Sequence, residues 1–470
     1  MTILQTMLRS ILILTETACL IGIFFFLNAL RIAVSSYLRV PAVKMYEKIM
    51  SKDHAVHNKD IPKSAAIVLI SSEDPAYYQH HGFYAVGMIN AAKFNYKHHL
   101  RKVYRRGGSG ITQQLVKNVY LSPEKTYTRK LAELLISIWI ERKLTKQQIL
   151  EMYFNVVYFG RGIYGIGQAS RTFFSTEPVN LSVNQLITLV CILPNPDRYD
   201  PVKDQDLFRK AKASTIRKLL YFHCISEDYA AKLSIMPWNK DSGSDEITIF
   251  NSFLKKHPCW SENEGSSEYK YLRFHEEGPS GLMLHSVGCP VSEPLSFIKS
   301  WNRTNSTSPC VHAFIDANDG TVYQTLPWNF RGWHCGGEGN NTHLGIEMCE
   351  SDHMRYEEGS EFMTDDLEKS VQNVERAYAA AVKLFALLCK EYHLDESSVI
   401  SHSEGHALGI ASDHKDPEHL WRGLNTDLTM DGFRSDVRIM IEKGQINTLI
   451  GPPRKNKYPA LKRLKAFLSR

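Results

Sequence analysis

Glu73-Asp74-Pro75-Ala76-Tyr77-Tyr78-Gln79-His80-His81-Gly82 packs acids, aromatics and histidines into one short stretch. Downstream of it lies Arg105-Arg106-Gly107-Gly108-Ser109-Gly110-Ile111-Thr112-Gln113-Gln114-Leu115-Val116-Lys117-Asn118. Glycines ahead of a polar helix start can present backbone N–H groups to a phosphate. Arg129-Lys130-Leu131-Ala132-Glu133 follows, with Arg129, Lys130 and Glu133 on one helix face. Glu151-Met152-Tyr153-Phe154-Asn155 then precedes Tyr158-Phe159-Gly160. Thr145-Lys146-Gln147-Gln148 reads as a capping box opening the helix that carries this last motif.

Each motif alone has an ordinary reading: a solvated loop, a flexible turn, a surface salt bridge. Together, separated carboxylates, basic residues and a phosphate-friendly loop suit transfer of a sugar from a pyrophosphate donor. A base deprotonates the acceptor hydroxyl, and cations neutralise the departing pyrophosphate. The ordered set resembles the family 51 glycosyltransferases, the peptidoglycan polymerases, over residues 60–205. The resemblance implies a mainly α, lysozyme-like domain with an apolar jaw in the bilayer. It implies Glu73 as the base acting on lipid II. Glu133 assists near the donor pyrophosphate or orients a divalent metal there, Mg²⁺ or Mn²⁺. Lys117, Arg129 and Lys130 would hold the phosphates, with Ser109 and Gln113 lining the site. Two positions depart from the pattern: Tyr77 stands for the usual Phe, and Gly110 for the usual Thr. Gly110 removes a hydroxyl and is expected to loosen the loop.

A second constellation occupies the last third. His285 ends the apolar run Leu282-Met283-Leu284, His402 follows Val399-Ile400, and Asp416 stands in His414-Lys415-Asp416-Pro417. Two imidazoles and a carboxylate are a zinc ligand set that leaves one tetrahedral position for water, whose pKa zinc lowers towards ~7. A lone histidine at a strand end is ordinarily packed or at the surface, but Trp333-His334-Cys335-Gly336 and His343-Leu344-Gly345-Ile346-Glu347 agree with the site reading. These residues resemble the zinc N-acetylmuramoyl-L-alanine amidases, shared with phage lysozyme-amidases and peptidoglycan recognition proteins, over residues 280–422. The resemblance implies His285, His402 and Asp416 as Zn²⁺ ligands and Glu347 as the acid acting on water. It also implies His414 as oxyanion stabiliser, and Trp333 and His334 as groove lining. His414 is also a rival for third ligand.

Hydrophobic content of 43% and charged content of 23% over 470 residues are ordinary for a multidomain globular chain. A net charge of +6 with interleaved signs does not indicate nucleic acid. The nine cysteines show no CxxC pair, so neither a disulfide framework nor a Cys₄ zinc site is expected, and most read as small buried apolar residues.

Residues 11–34 form an apolar run with Phe24-Phe25-Phe26 at its centre, read as an uncleaved membrane anchor. Arg9 precedes it while Arg31, Arg39 and Lys44 follow, which by charge favours a cytoplasmic C-terminal side. The motifs require the wall side, and they are given the greater weight because large domains translocate despite local charge. The expected organisation is therefore multidomain: anchor 11–34, polymerase domain 60–235, linker 236–279, α/β zinc amidase domain 280–445 with a mixed central sheet, and basic tail 446–470. Asp319-Gly320 marks a hairpin, and a long helix runs from about Asp366 to Tyr392. Implied partners are lipid II, peptidoglycan, the bacterial cytoplasmic membrane and other cell-wall synthesis proteins. Competing readings are a lytic, muramidase-like first domain, or a peptidoglycan-binding second domain without catalysis.

Overall fold

The computed structural model of the chain describes residues 2–84, 108–122, 126–243, 245–261, 266–267, 272–274, 278–357, 361–444 and 446–451, and Gly87, Ile89, Lys93 and Glu124 singly. Arg105-Arg106-Gly107 and the basic tail residues from Arg454 to Arg470 lie outside the described residues. The chain forms two compact units. One comprises Met1–Asn58, Leu69–Pro178 and Leu189–Phe208; the other comprises Lys59–Val68, Val179–Thr188 and Arg209–Arg470.

The first unit is helical. Its helices are α1 (Thr2–Arg39), α2 (Ala42–Met50), the end of α3 (Lys63–Glu73), α4 (Ile111–Tyr120), α5 (Tyr127–Glu141), α6 (Lys146–Val156) and α7 (Ile166–Phe174). Helix α1 changes character along its length. Leu20, Phe24 and Leu27 are exposed, whereas Ala29 and Ala33 are fully buried. Further on, Tyr37 packs its ring on Trp139 and Tyr120. Residues Ile13–Arg39 are long and apolar enough to cross a membrane. The expected capping box opens α6: Thr145 Oγ1 accepts the Gln148 N–H at 3.2 Å, and Gln148 Oε1 accepts the Thr145 N–H at 2.9 Å.

Between the motif regions run α8 (Val183–Ile192), α9 (Gln205–Tyr221) and α10 (Glu227–Ile235). The second unit is built on a seven-stranded sheet of order β8-β2-β5-β3-β4-β1-β9. Its strands are β1 (Glu246–Asn251), β2 (Gly281–Ser286), β3 (Ala313–Ile315), β4 (Val322–Gln324), β5 (His343–Met348), β8 (Val399–Ser401) and β9 (Asn447–Gly451). A separate ribbon pairs β6 (Met354–Tyr356) with β7 (Phe362–Thr364). Neighbours in the large sheet are parallel except β3–β4, the hairpin across Asp319-Gly320, where Ile315 faces Val322 and Gly320 takes a φ of 72°. The sheet is thus mixed, as expected.

The helices of this unit include α11 (Leu295–Trp301), α12 (Gly339–Thr342), α13 (Leu367–Tyr392), α14 (His402–Ala407), α15 (Glu418–Gly423) and α16 (Met430–Lys443). Helix α13 is capped by Asp366, whose carboxylate accepts the Lys369 N–H at 2.9 Å. It buries Val374, Ala377, Ala381, Phe385 and Leu388 in one core with Leu282, Leu284, Leu344 and Ile346.

Two segments differ from expectation. Residues 236–279, read as a linker, supply β1, which pairs with both β4 and β9. Residues 446–470, read wholly as tail, begin with β9. Both strands are short and only every second residue is buried, so flanking Ser, Gly and charged residues dominate their composition.

Candidate active sites

In the first unit the motif residues gather around the start of α4. Asp74 accepts the Ile111 N–H at 3.0 Å and faces His80 Nε2 at 3.0 Å, placing a carboxylate at the helix N-terminus. A Cβ at Gly110 would collide with that carboxylate. The expected loosening of the loop is therefore corrected: Gly110 is buried, and its N–H donates to Gln113 Oε1 at 3.2 Å. Tyr77 is fully buried, and its additional hydroxyl donates to the Lys146 carbonyl at 2.9 Å.

Helix α4 then offers adjacent glutamines to the two candidate acids. Gln114 Nε2 donates to Glu73 Oε2 at 3.1 Å, and Gln114 Oε1 accepts the Tyr153 hydroxyl at 2.9 Å. Gln113 Nε2 reaches Glu133 Oε1 at 3.5 Å. Glu133 is buried and pairs with Arg129 Nη1 at 3.2 Å and with Lys130 Nζ, which also donates to Ser109 Oγ at 2.6 Å. Ser109, Gln113, Arg129, Lys130 and Glu133 thus form one connected cluster, with Glu73 tied in through Gln114. Lys117 lies one turn beyond Gln113 on α4 and is exposed.

Sequence reading did not single out Gln114. Nor did it foresee that Glu151 and Asn155 are structural. Glu151 accepts the Tyr46 hydroxyl at 2.6 Å and the Asn58 N–H at 2.7 Å. The Asn155 side chain accepts the Val56 N–H and donates to the Val56 carbonyl, both at 2.8 Å. These two residues of the fourth motif clamp the connector that follows α2.

In the second unit the parallel register sets the site. His285 on β2 stands opposite Glu347 on β5, and Leu284 opposite Ser401 on β8, so His402 at the start of α14 falls beside His285. Ser401 caps α14, accepting the Glu404 N–H at 3.1 Å. His285 Nδ1 lies 3.0 Å from His402 Nδ1, and each lies 3.4 Å from an Asp416 oxygen. The Ser286 N–H donates to Asp416 Oδ2 at 3.2 Å. Three ligand atoms thus converge, all from buried residues. Burial opposes charge on Asp416, but the facing imidazoles of His285 and His402 outweigh it and hold the carboxyl well below its usual range. Burial lowers the pKa of His285 despite Asp416, favouring the neutral imidazole a metal requires.

Glu347 is only partly screened from solvent. Even so, desolvation, then Asp416 and Glu350, push its carboxyl well above the ordinary range, and its Oε2 is buried with no hydrogen-bond partner among the described residues. A carboxyl of raised pKa beside three converging ligand atoms is a candidate for proton transfer.

His414 stands on the far edge of His402, with Nδ1 3.4 Å from His402 Nε2, away from the Nδ1 side where His285 and Asp416 meet. Ser412 Oγ contacts the same edge at 3.3 Å. The expected groove-lining role of His334 is corrected. His334 is buried, its Nδ1 lies 3.0 Å from His285 Nε2, and its Nε2 faces the His343 carbonyl at 3.0 Å. It orients His285. Trp333 remains open, at 44% exposure.

Two domain classes are defined by these arrangements, and comparison with known proteins bears them out. A family model described as transglycosylase matches residues 43–220, and one described as N-acetylmuramoyl-L-alanine amidase matches residues 275–419. A protein of Cupriavidus necator described as a transglycosylase is 35% identical over 166 residues, 35% of this chain and 70% of that protein. Penicillin-binding protein 4 of Bacillus subtilis is 39% identical over 159 residues, 34% of this chain and 25% of that protein. Penicillin-binding protein 1A of Escherichia coli is 34% identical over 170 residues, 36% of this chain and 19% of that protein. The chain spans a quarter or less of the length of these penicillin-binding relatives. Among solved structures, the Staphylococcus aureus hydrolase AmiA aligns at a TM-score of 0.31 and 17% identity, over 47% of this chain and 92% of that one. The chain belongs to the transglycosylase family and carries an N-acetylmuramoyl-L-alanine amidase domain behind the transglycosylase domain.

Proposed function

We propose that this chain is a membrane-anchored, bifunctional cell-wall enzyme. Its domain at 60–235 polymerises lipid II into glycan strands, and its domain at 280–445 hydrolyses the amide between N-acetylmuramic acid and L-alanine. The observation that carries the proposal is that each matched segment holds its own complete polar set: Glu73 and Glu133 on adjacent glutamines, and His285, His402 and Asp416 around one point.

In the first domain Glu73, steadied by Gln114, takes the acceptor hydroxyl's proton. Arg129, Lys130 and Lys117 receive the pyrophosphate as charge develops on it. The Glu133 carboxylate is engaged by Arg129, Lys130 and Gln113, so Mg²⁺ or Mn²⁺ there requires one of these contacts to open.

In the second domain the converging nitrogens and carboxylate, with the orphaned Glu347 oxygen beside them, fit Zn²⁺. Zinc bound there supplies a Lewis acid and a water of lowered pKa. His334 fixes the ring of His285, and His414 with Ser412 fixes that of His402. Glu347 is the group placed to take the proton of the attacking water and pass it to the leaving amine. Exposed Trp333 offers a face for the substrate. His414 would have to leave the outer edge of His402 to stabilise an oxyanion directly. Lipid II, peptidoglycan and the outer face of the cytoplasmic membrane are the partners this reading requires, together with other cell-wall synthesis proteins.

The test is a pair of substitutions on the detergent-solubilised chain, with products identified by mass. Glu73→Gln is expected to abolish lipid II polymerisation and leave stem-peptide release from sacculi intact; His285→Ala is expected to do the reverse. Release of glycan fragments from sacculi by the Glu73-dependent activity, without polymer from lipid II, would replace the polymerase with a lytic enzyme.

A further inference from the structure

A second cluster of ligand atoms lies in the α/β unit, outside the site just described. The Nδ1 or Nε2 of His257 and the Sγ atoms of Cys259 and Cys310 all fall within 4.8 Å of one another, and all three residues are buried. The segment carrying His257 and Cys259 leaves β1 and runs beside β4, with the Leu254 N–H on the Thr325 carbonyl at 2.9 Å. Two successive turns then close, His257 N–H to the Leu254 carbonyl and Trp260 N–H to the His257 carbonyl, each at 2.9 Å. Cys310 reaches the cluster from the approach to β3 and exchanges two backbone hydrogen bonds of 2.9 Å with Trp333. Leu254 and Leu326 are buried with the two cysteines, and Trp260, Ile298 and Trp301 pack around them.

The histidine is arranged as a ligand. Its Nε2 lies 3.2 Å from the Ser308 carbonyl, which fixes the proton on Nε2. The Nδ1 lone pair is then left on the side of Cys259, whose N–H it meets at 3.1 Å. An ion between Nδ1 and the two sulfurs would take that lone pair in place of the N–H. The charge also balances: two thiolates and one neutral imidazole around a divalent ion carry no net charge into an apolar cage.

We propose that His257 Nδ1, Cys259 Sγ and Cys310 Sγ bind a second Zn²⁺, with the fourth position left to a water. Binding forms two Zn–S bonds and one Zn–N bond; each thiol releases its proton to solvent, and nothing is oxidised. The ion ties the 254–260 segment to Cys310. Through the Cys310–Trp333 pairing it braces the segment that ends in His334, the residue that holds His285. The site is independent of the amidase reading, because it uses none of the same ligands.

Cobalt separates the two sites. The set His285, His402 and Asp416 contains no sulfur, so a thiolate-to-Co²⁺ charge-transfer band can come only from elsewhere. The full chain is purified in detergent, stripped with a chelator and titrated with Co²⁺. The expected result is two Co²⁺ per chain with a near-ultraviolet thiolate band. In Cys259→Ser and in Cys310→Ser the bound Co²⁺ falls to one and the band disappears. In His285→Ala the bound Co²⁺ also falls to one, but the band stays. Absence of the band in the wild-type chain overturns the proposal, as does a band that persists in both cysteine variants. So does mass spectrometry under non-reducing conditions that finds Cys259 joined to Cys310 by a disulfide. Should one cysteine variant fail to fold, the wild-type spectrum and the other cysteine variant still decide.

Discussion

Single side chains decide both sites, and their neighbours show how. Gly110 sits where the carboxylate of Asp74 comes down on the N-terminus of α4, with no room for a Cβ. We expect Gly110→Ala to displace Asp74 and loosen the helix start, lowering the stability of the helical unit by about 1–3 kcal/mol in thermal or urea unfolding. His334 would act on the proposed zinc only through the Nε2 of His285, which its Nδ1 meets at 3.0 Å. His334→Ala should therefore weaken Zn²⁺ binding by roughly 10–100-fold in a chelator competition, with the fold intact by circular dichroism. At this scale the sequence singled out three residues that the fold brings together, but not the residues that support them. His285, His402 and Asp416 are legible because their types match a chemistry. His334 is far from His285 in sequence, and Gln114 looks like any helix residue; both acquire a role only once the chain has brought them alongside an acid or an imidazole.

Elements are legible where their burial is one-sided or complete. Strand β2 is buried at every position and α13 carries an apolar stripe, so both stood out as patterns. Strands β1 and β9 did not, since alternate residues face outwards and polar segments flank them; only pairing with one another and with β4 makes them strands. Helix α6 shows the converse case, an element recognised correctly whose motif residues had no role assigned. Glu151 and Asn155 hold the connector after α2 by its backbone, while Tyr153 from the same helix steadies Gln114. Asn155→Ala removes the partner of both the N–H and the carbonyl of Val56. It is expected to cost about 1–3 kcal/mol of unfolding free energy and to lower polymerisation through stability alone. Residual activity should recover on cooling, which a loss of chemistry would not do.

For the molecule as a whole, helix α1 carries two kinds of surface. Its later part is seated by Ala29, Ala33 and Tyr37 on the helical unit, and its earlier part exposes Leu20, Phe24 and Leu27. A helix that docks at one end and shows a continuous apolar surface at the other is suited to a bilayer that also holds a lipid-linked substrate. Confinement to that surface raises the effective concentration of enzyme and lipid II for one another. On the proposed function the amidase substrate is a polymer outside the bilayer, so its cleavage gains nothing from the same confinement. Deleting residues 2–27 while keeping the docked part of α1 should therefore divide the two activities. The truncated chain is expected in the soluble fraction without detergent, with release of stem peptides from soluble wall fragments unchanged. Polymerisation of lipid II in vesicles should fall by about tenfold or more and recover when enzyme and substrate share detergent micelles. Equal loss of both activities would mean that the exposed part of α1 is needed for folding, and unchanged polymerisation in vesicles would mean that another surface holds the chain to the lipid.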